Sequence, residues 1–137
     1  MFLDLIVLSS VAASPTFSGE FSGYHFDQTT PNRWERFDLV LTNETEAVSE
    51  IKVCPNQAQM VMRDHQRSEI GAFAIKFDDA NWSYSCETRS VDAGESVTLK
   101  LFFRARHAPG PQRDVTVQTS AGDFMIKGGK QRVALNR

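Results

Sequence analysis

The stretch VTLKLFFR at residues 97–104 decides the fold class, because its apolar side chains recur at every second position. Val97, Leu99, Leu101 and Phe103 share one face of an extended chain, and polar residues occupy most of the other face. A period of two is typical of a half-buried β-strand, whereas an amphipathic helix repeats every 3.6 residues. The stretch therefore predicts a strand with one face in a hydrophobic core.

The same alternation recurs along the rest of the chain in short runs that are separated by turn-forming residues. The runs lie at residues 17–26, 37–42, 51–53, 73–77, 82–87, 115–119 and 124–127. Within the run at 82–87, Trp82, Tyr84 and Cys86 are expected to face the core. About seven or eight short strands at such spacing predict an all-β sandwich or barrel.

One segment interrupts this rhythm, the charged sequence QAQMVMRDHQRSEI at residues 57–70. Its pattern predicts a single helical turn or a long loop between strands. Long loops in compact domains are often functional, although a solvated crossover is the plainer interpretation. As a contact surface, the segment would offer Met60, Met62, Arg63, His65 and Arg67 as binding residues.

Trp34 is a further candidate binding residue, since it lies in the otherwise polar stretch NRWER at residues 32–36. A tryptophan beside arginine is a frequent combination in the hot spots of protein interfaces. It can also serve as a platform for a sugar ring. The alternative is an ordinary strand residue whose rim is covered by the stem of a neighbouring arginine.

Length and charge limit the classes of function. A chain of 137 residues corresponds to one domain, which we assign to residues 14–127. The formal net charge of −2 argues against a nucleic-acid partner, because such domains usually carry a basic excess. No run of about 18 apolar residues is present, so no stable membrane insertion is expected.

Both termini allow two interpretations. Residues 1–13 read MFLDLIVLSSVAA, in which an apolar run precedes the small residues of a signal-peptidase site. Asp4 and the absence of Lys or Arg before the run favour a first β-strand instead. Residues 128–137 form a basic tail, which either contacts an anionic surface or is simply solvated.

The two cysteines, Cys54 and Cys86, are too far apart in sequence for a C-x-x-C redox or zinc motif. A disulfide between them would close a loop of about 33 residues and stabilise the fold by roughly 3–4 kcal/mol in the chain-entropy model. The alternative is a pair of buried reduced thiols, which behave as small hydrophobic residues. Export to an oxidising compartment decides between the two states.

The chain lacks the sequence signatures of an enzyme, including H-E-x-x-H, G-x-S-x-G and G-x-x-x-x-G-K. We therefore expect no catalytic residue, no resident metal and no cofactor. A small metal-dependent hydrolase would require His25, Asp27 and His65 to converge in space. Two N-x-S/T sequons, at Asn43 and Asn81, lie at turns where glycan acceptors are usually found.

The order of the central strands resembles the bacterial immunoglobulin-like domains of the hydin/DUF1573 type. The resemblance rests on FDLVLTNET at residues 37–45, IKVC at 51–54, VDAGESVTLKL at 91–101 and the final hairpin at 110–119. The charged segment and the lack of a Cys-Gly-Cys-like cluster depart from that family. The resemblance implies a single immunoglobulin-like antiparallel β-sandwich that serves binding or assembly without catalytic residues.

These observations predict a non-catalytic module for protein–protein recognition or assembly, such as an accessory, adhesin or chaperone-like domain, in a secreted or periplasmic location. It would bind another protein by edge-strand pairing or loop contact. One alternative is a carbohydrate-binding module, which an exposed pair of Trp34 and Trp82 in one plane would favour. A structural subunit of a virion or pilus and the hydrolase described above are the others.

Overall fold

The computed structural model of the chain describes residues 16–28, 33–61, 69–105, 113–128 and 132–136, with the backbone alone for the last range. No helix in these residues is long and apolar enough to cross a membrane. The described residues form ten β-strands. They are β1 (Phe17–Asp27), β2 (Trp34–Asn43), β3 (Ser49–Val61), β4 (Glu69–Gly71), β5 (Ala74–Phe77), β6 (Glu87–Val91), β7 (Ser96–Arg104), β8 (Val115–Thr119), β9 (Gly122–Lys127) and β10 (Arg132–Asn136).

The strands form two antiparallel sheets. The four-stranded sheet has the order β1-β2-β7-β5. The six-stranded sheet has the order β10-β9-β8-β3-β4, and β6 also pairs with β3. Residues from both sheets form one hydrophobic core. The fold is therefore a β-sandwich, one of the two architectures that the alternation predicts, and it is consistent with the immunoglobulin-like form that the resemblance implies.

The stretch VTLKLFFR lies in β7, and its predicted inward face is confirmed. Val97, Leu99, Leu101 and Phe103 all lie in the core. In the neighbouring strand β2, every second residue is buried, from Glu35 to Asn43. The six-stranded sheet contributes Ile51, Val53, Ala58, Met60, Val115, Val117, Phe124 and Ile126.

The residues of β1 that face the core change from odd-numbered to even-numbered positions part of the way along the strand. The register against β2 shifts between Phe21 and Gly23, so that Ser22 is an extra residue. Such a β-bulge rotates the following residues onto the opposite face. As a result both Phe21 and Tyr24 pack against the core, three positions apart.

Both ends of the charged segment at residues 57–70 belong to strands. Residues 57–61 complete β3. Ala58 and Met60 are fully buried, and the residues that alternate with them are more exposed. Glu69 and Ile70 begin β4, which pairs with the end of β3. The prediction of a loop or helical turn is therefore wrong for these residues, whose period-two pattern was obscured by their polar composition.

The C-terminal part contains the predicted hairpin of β8 and β9, in which Gly122 lies opposite Thr119. Gly122 has a φ of 120°, a conformation that side chains with a Cβ rarely adopt. The chain then returns along β9, since Lys127 pairs with Arg132 and Asp123 with Asn136. The assignment of residues 128–137 to a tail outside the sandwich domain is thus wrong for residues 132–136, which form β10.

Asn43 closes the end of the sandwich where β2 ends. Its side chain is fully buried. The Nδ2 amide donates to the backbone carbonyls of Ala47 at 2.9 Å, Val91 at 2.9 Å and Asp92 at 3.3 Å. The Oδ1 atom accepts hydrogen bonds from the backbone N–H and the hydroxyl of Thr45. One side chain therefore ties the turn after β2 to the end of β6 in the other sheet.

Candidate functional site

Four aromatic residues meet on the outer face of the four-stranded sheet, opposite the core, and we call them the outer aromatic patch: Trp34, Phe73, Trp82 and Phe102. Phe102 lies in β7 between Leu101 and Phe103, which face the core, so the strand pleat turns it outward. Trp34 begins β2, the adjacent strand. Phe73 comes just before β5, and its backbone N–H donates to the carbonyl of Phe102. Trp82 follows β5.

The four rings of the patch are packed against each other. Trp82 stacks on Phe102 with 4.2 Å between ring centroids and an interplanar angle of 29°. Trp34 meets both rings edge-on, with its centroid 5.3 Å from Phe102 and 5.7 Å from Trp82. Phe73 lies 5.9 Å from Trp82. Aromatic pairs in such orientations each contribute about 0.5–1.5 kcal/mol beyond the area that they bury, so the patch has a defined shape.

Part of the patch is open to solvent. Phe102 is only 2% exposed, because Trp82 covers it, whereas Trp82 itself is 39% exposed and the neighbouring Tyr84 is 74% exposed. The guanidinium of Arg104 lies over the Phe73 ring at 5.0 Å from its centroid. Trp, Tyr and Arg are the residue types that dominate binding energy at protein interfaces.

The segment that carries Trp82, residues 78–86, crosses the edge of the four-stranded sheet. Ser83 and Ile75 exchange two backbone hydrogen bonds of 2.9 Å, which extend the sheet beyond β5 by a single bridge. Asp78 begins the segment at a φ of 47°, in the left-handed region. Its carboxylate oxygens accept hydrogen bonds from the Thr98 amide and the Arg89 guanidinium, each at 2.8 Å.

The prediction that Trp82, Tyr84 and Cys86 face the core from a strand is wrong. Residues 82–86 form no strand apart from the bridge at Ser83, and all three side chains are exposed to solvent. The period-two pattern is present, but the segment lies at the outside of the sheet, where none of the described residues forms a second layer over it. Alternation identifies an extended chain and does not tell which of its faces meets the core.

Cys54 and Cys86 form a disulfide bond, as one of the two interpretations of the cysteines predicts. Cys54 follows Val53 in β3, and Val53 pairs with Glu87 at the start of β6. The disulfide therefore connects residues 78–86, which carry Trp82 and Tyr84, to the six-stranded sheet. The bond joins a segment that lies against one sheet to a strand of the other.

A buried ion pair lies inside the sandwich, beneath the start of β2. Glu35 is fully buried. The Nη1 atom of Arg113 donates a hydrogen bond to Oε2 of Glu35 at 2.5 Å. The Tyr24 hydroxyl donates to Oε1 at 2.7 Å. Arg113 also contacts the sulfur of Met60 at 3.7 Å. Met60 is thus part of the core and is not accessible to a partner, contrary to its assignment as a surface contact.

The other candidate residues have different outcomes. Trp34 belongs to the outer aromatic patch, where its ring also contacts His25 at 5.6 Å. Met62, Arg63, His65 and Arg67 lie outside the described residues. In the described part of the chain, no group of three His, Cys, Asp or Glu side chains could hold a metal ion. A convergence of His25 and Asp27 with His65 lies beyond what the structure describes.

The two sequons differ in their structural context. The Nδ2 atom of Asn43, which would carry a glycan, is fully engaged with three backbone carbonyls inside the fold. The Asn-x-Thr spacing at this position has a structural explanation. The backbone N–H and the hydroxyl of Thr45 both donate hydrogen bonds to Oδ1 of Asn43. Asn81 is exposed at the turn before Trp82.

Three members of the outer aromatic patch, Phe73, Trp82 and Phe102, were not among the predicted protein-binding residues. Trp82 was named only for the carbohydrate-binding alternative. The sequence did carry a signal for Phe102, because the pair Phe102-Phe103 interrupts an otherwise regular alternation. Two successive large apolar residues in a strand must face opposite sides of the sheet. Phe73 carried no such signal, because it alternates regularly with Ile75 and Phe77, which do face the core.

The molecule defined by this fold and these contacts is a small, disulfide-bonded, immunoglobulin-like β-sandwich with an aromatic surface patch. Comparison with protein-family models, with curated proteins and with solved structures finds no significant match.

Proposed function

We propose that this chain is a non-catalytic recognition module that binds another protein through the outer aromatic patch. The observation that carries the proposal is the position of Trp82, which stacks on Phe102 and still leaves 39% of its surface exposed. A rigid aromatic ring that is held in place before binding loses little conformational entropy when a partner covers it. The exposed Tyr84 and Arg104 supply further side chains of the hot-spot type around it.

The geometry supports a protein partner better than a carbohydrate. The carbohydrate-binding alternative called for Trp34 and Trp82 to lie exposed in one plane. Their interplanar angle is 83°, so a flat sugar ring cannot stack on both. The two perpendicular rings instead give the patch an uneven surface, which suits the irregular surface of a protein partner.

A secreted or periplasmic location is part of the proposal. The disulfide between Cys54 and Cys86 supports it, because disulfides persist in oxidising compartments. Intact mass of the protein isolated from its native host, with and without reduction before alkylation, tests the location. We expect alkylation of both cysteines only after reduction. Alkylation of both without reduction would contradict an oxidising compartment.

Photo-crosslinking in the native host tests the binding surface. The Tyr84→p-benzoylphenylalanine variant places a reactive group beside Trp82 and is expected to form a covalent adduct with one protein. The same amino acid at Gln118, which is exposed on the six-stranded sheet, provides the control position. No adduct at position 84, or the same adducts from both positions, would overturn the proposal.

Substitution of Trp82 is expected to weaken binding of the crosslinked partner strongly. Trp82→Ser removes the ring and should raise the dissociation constant about 30-fold, the equivalent of a 2 kcal/mol hot spot. Trp82→Phe retains a ring over Phe102 and should lose considerably less. Titration of each purified variant with the partner by calorimetry measures the effect, and equal affinity of wild type and Trp82→Ser would contradict it.

A further inference from the structure

The two cysteine residues of the disulfide differ in their exposure to solvent. Cys54 is 9% exposed and lies at the irregular part of β3, where the register against β8 shifts between Val53 and Ala58. Cys86 is exposed and precedes β6. A reductant therefore reaches the sulfur of Cys86 first, and the buried Cys54 is the leaving group.

The disulfide is also the covalent anchor of the segment that carries Trp82. Between Asp78 and Glu87, the described backbone is held to β5 by the bridge of Ser83 and by the hydrogen bond from the amide of Ala80 to the carbonyl of Phe77. The side chains of residues 79–82 and 84–86 are exposed. Apart from the contacts of the Trp82 ring within the outer aromatic patch, the segment makes few buried contacts. Such a segment has a low free energy of local opening.

We propose that the Cys54–Cys86 disulfide is a redox switch for the outer aromatic patch: the oxidised form holds Trp82 on Phe102, and reduction releases it. The inference rests on the proposed function, since it assigns a regulation to that same surface. In the reduced protein the segment detaches from β3 and Trp82 no longer covers Phe102. The perpendicular packing of Trp34 and Trp82 is then lost. The binding surface is then assembled only where the disulfide can form.

The chemistry needs a dithiol as the reductant. Its first thiolate attacks Sγ of Cys86, which forms a mixed disulfide and expels Cys54 as a thiolate that takes up a proton. The second thiol of the reagent, once deprotonated, attacks its own sulfur in the mixed disulfide and releases the thiolate of Cys86, which is protonated in turn. Two electrons and two protons pass to the protein, and the dithiol becomes a cyclic disulfide.

A single-tryptophan variant isolates the structural step. Trp82 is the one remaining tryptophan in Trp34→Phe, because the chain has two, so its fluorescence reports on the segment. Dithiothreitol is expected to shift the Trp82 emission to the red and to raise its acrylamide quenching constant about twofold, as a 39% exposed ring becomes fully exposed. Far-UV circular dichroism is expected to stay unchanged.

Either of two results of this reduction experiment would overturn the switch. Unchanged Trp82 fluorescence in protein whose two thiols have been counted as free would show that the segment stays in place without the bond. A collapse of the far-UV spectrum together with the fluorescence change would show that the disulfide stabilises the whole fold. The Cys54→Ser/Cys86→Ser variant should reproduce the reduced state without a reductant, and a Trp82 signal like that of the oxidised protein would count against the switch.

The crosslink at position 84 separates this inference from the proposed function. We expect the adduct from oxidised protein and at least a tenfold loss of it, roughly the effect of losing a hot-spot residue, when Cys54→Ser/Cys86→Ser is introduced. Equal adduct with and without the cysteines would overturn the switch and leave the proposed function standing. Release of Trp82 without any adduct from oxidised protein would overturn the proposed function, and with it the regulation of binding.

Discussion

Arg113→Met is expected to lower the free energy of unfolding by about 3–5 kcal/mol, the usual cost of removing one partner from a buried ion pair. Glu35 is fully buried, and the Arg113 guanidinium contacts its carboxylate at 2.5 Å. Methionine fills a similar volume and supplies neither charge nor hydrogen-bond donors. The carboxylate then keeps the hydroxyl of Tyr24 but loses the positive charge of Arg113, which offsets its removal from water.

Urea unfolding followed by circular dichroism measures this effect, and the double variant Glu35→Gln/Arg113→Met is the control. Removing both charges eliminates the buried carboxylate, while the amide oxygen of the substituted side chain can still accept a hydrogen bond from Tyr24. The double variant should therefore be more stable than Arg113→Met alone. If Arg113→Met loses less than about 1 kcal/mol, or if the double variant is the less stable of the two, the pair does not stabilise the fold as its burial indicates.

Asn43→Asp is expected to destabilise the protein by about 3–5 kcal/mol, although the two side chains have nearly the same shape. The amide of Asn43 donates to the carbonyls of Ala47, Val91 and Asp92. An aspartate places an oxygen that cannot donate, with a negative charge, against these acceptors. Each buried polar group that loses its partner costs about 1–3 kcal/mol, and a buried charge costs more.

The matched control for this change is Asn81→Asp, which makes the same chemical replacement at an exposed turn of the same protein. We expect it to alter the free energy of unfolding by no more than about 0.5 kcal/mol. Thermal unfolding of both variants and of the wild type provides the comparison. A loss at position 43 no larger than the loss at position 81 would show that the three hydrogen bonds contribute little.

The fold class could be predicted from the sequence because sheet-forming alternation is a local property of the chain. Phe37, Leu39 and Leu41 are buried in β2 as their spacing predicts. The same parity extends to Glu35 and Asn43, the two polar residues of that strand which are fully buried. The alternation alone is enough to predict that both side chains face inward. Their partners could not be predicted, because the sequence around each residue does not indicate which distant residue it contacts.

The candidate site was predictable only in part. Trp34 was identified as a recognition residue from its polar neighbours, and it does lie in the outer aromatic patch. Met60 was assigned to a contact surface because its segment was predicted to form a long loop, yet it faces the core from β3. Trp82 was placed in the core by its alternation with Tyr84. For Trp82 the alternation was recognised and the face was assigned wrongly, whereas for Met60 the strand itself was missed.

The sequence by itself determined that this protein is built from short antiparallel strands and, in the strands whose two faces differ clearly in polarity, which side chains form the core. The tertiary structure alone decided that Trp34, Phe73, Trp82 and Phe102 meet on one outer surface, and that Glu35 meets Arg113, 78 residues further along the chain. The physical reason is the range of the interactions. The burial of every second residue follows from the pleat of one strand, whereas a surface patch and a buried ion pair depend on how separate strands pair, bulge and pack.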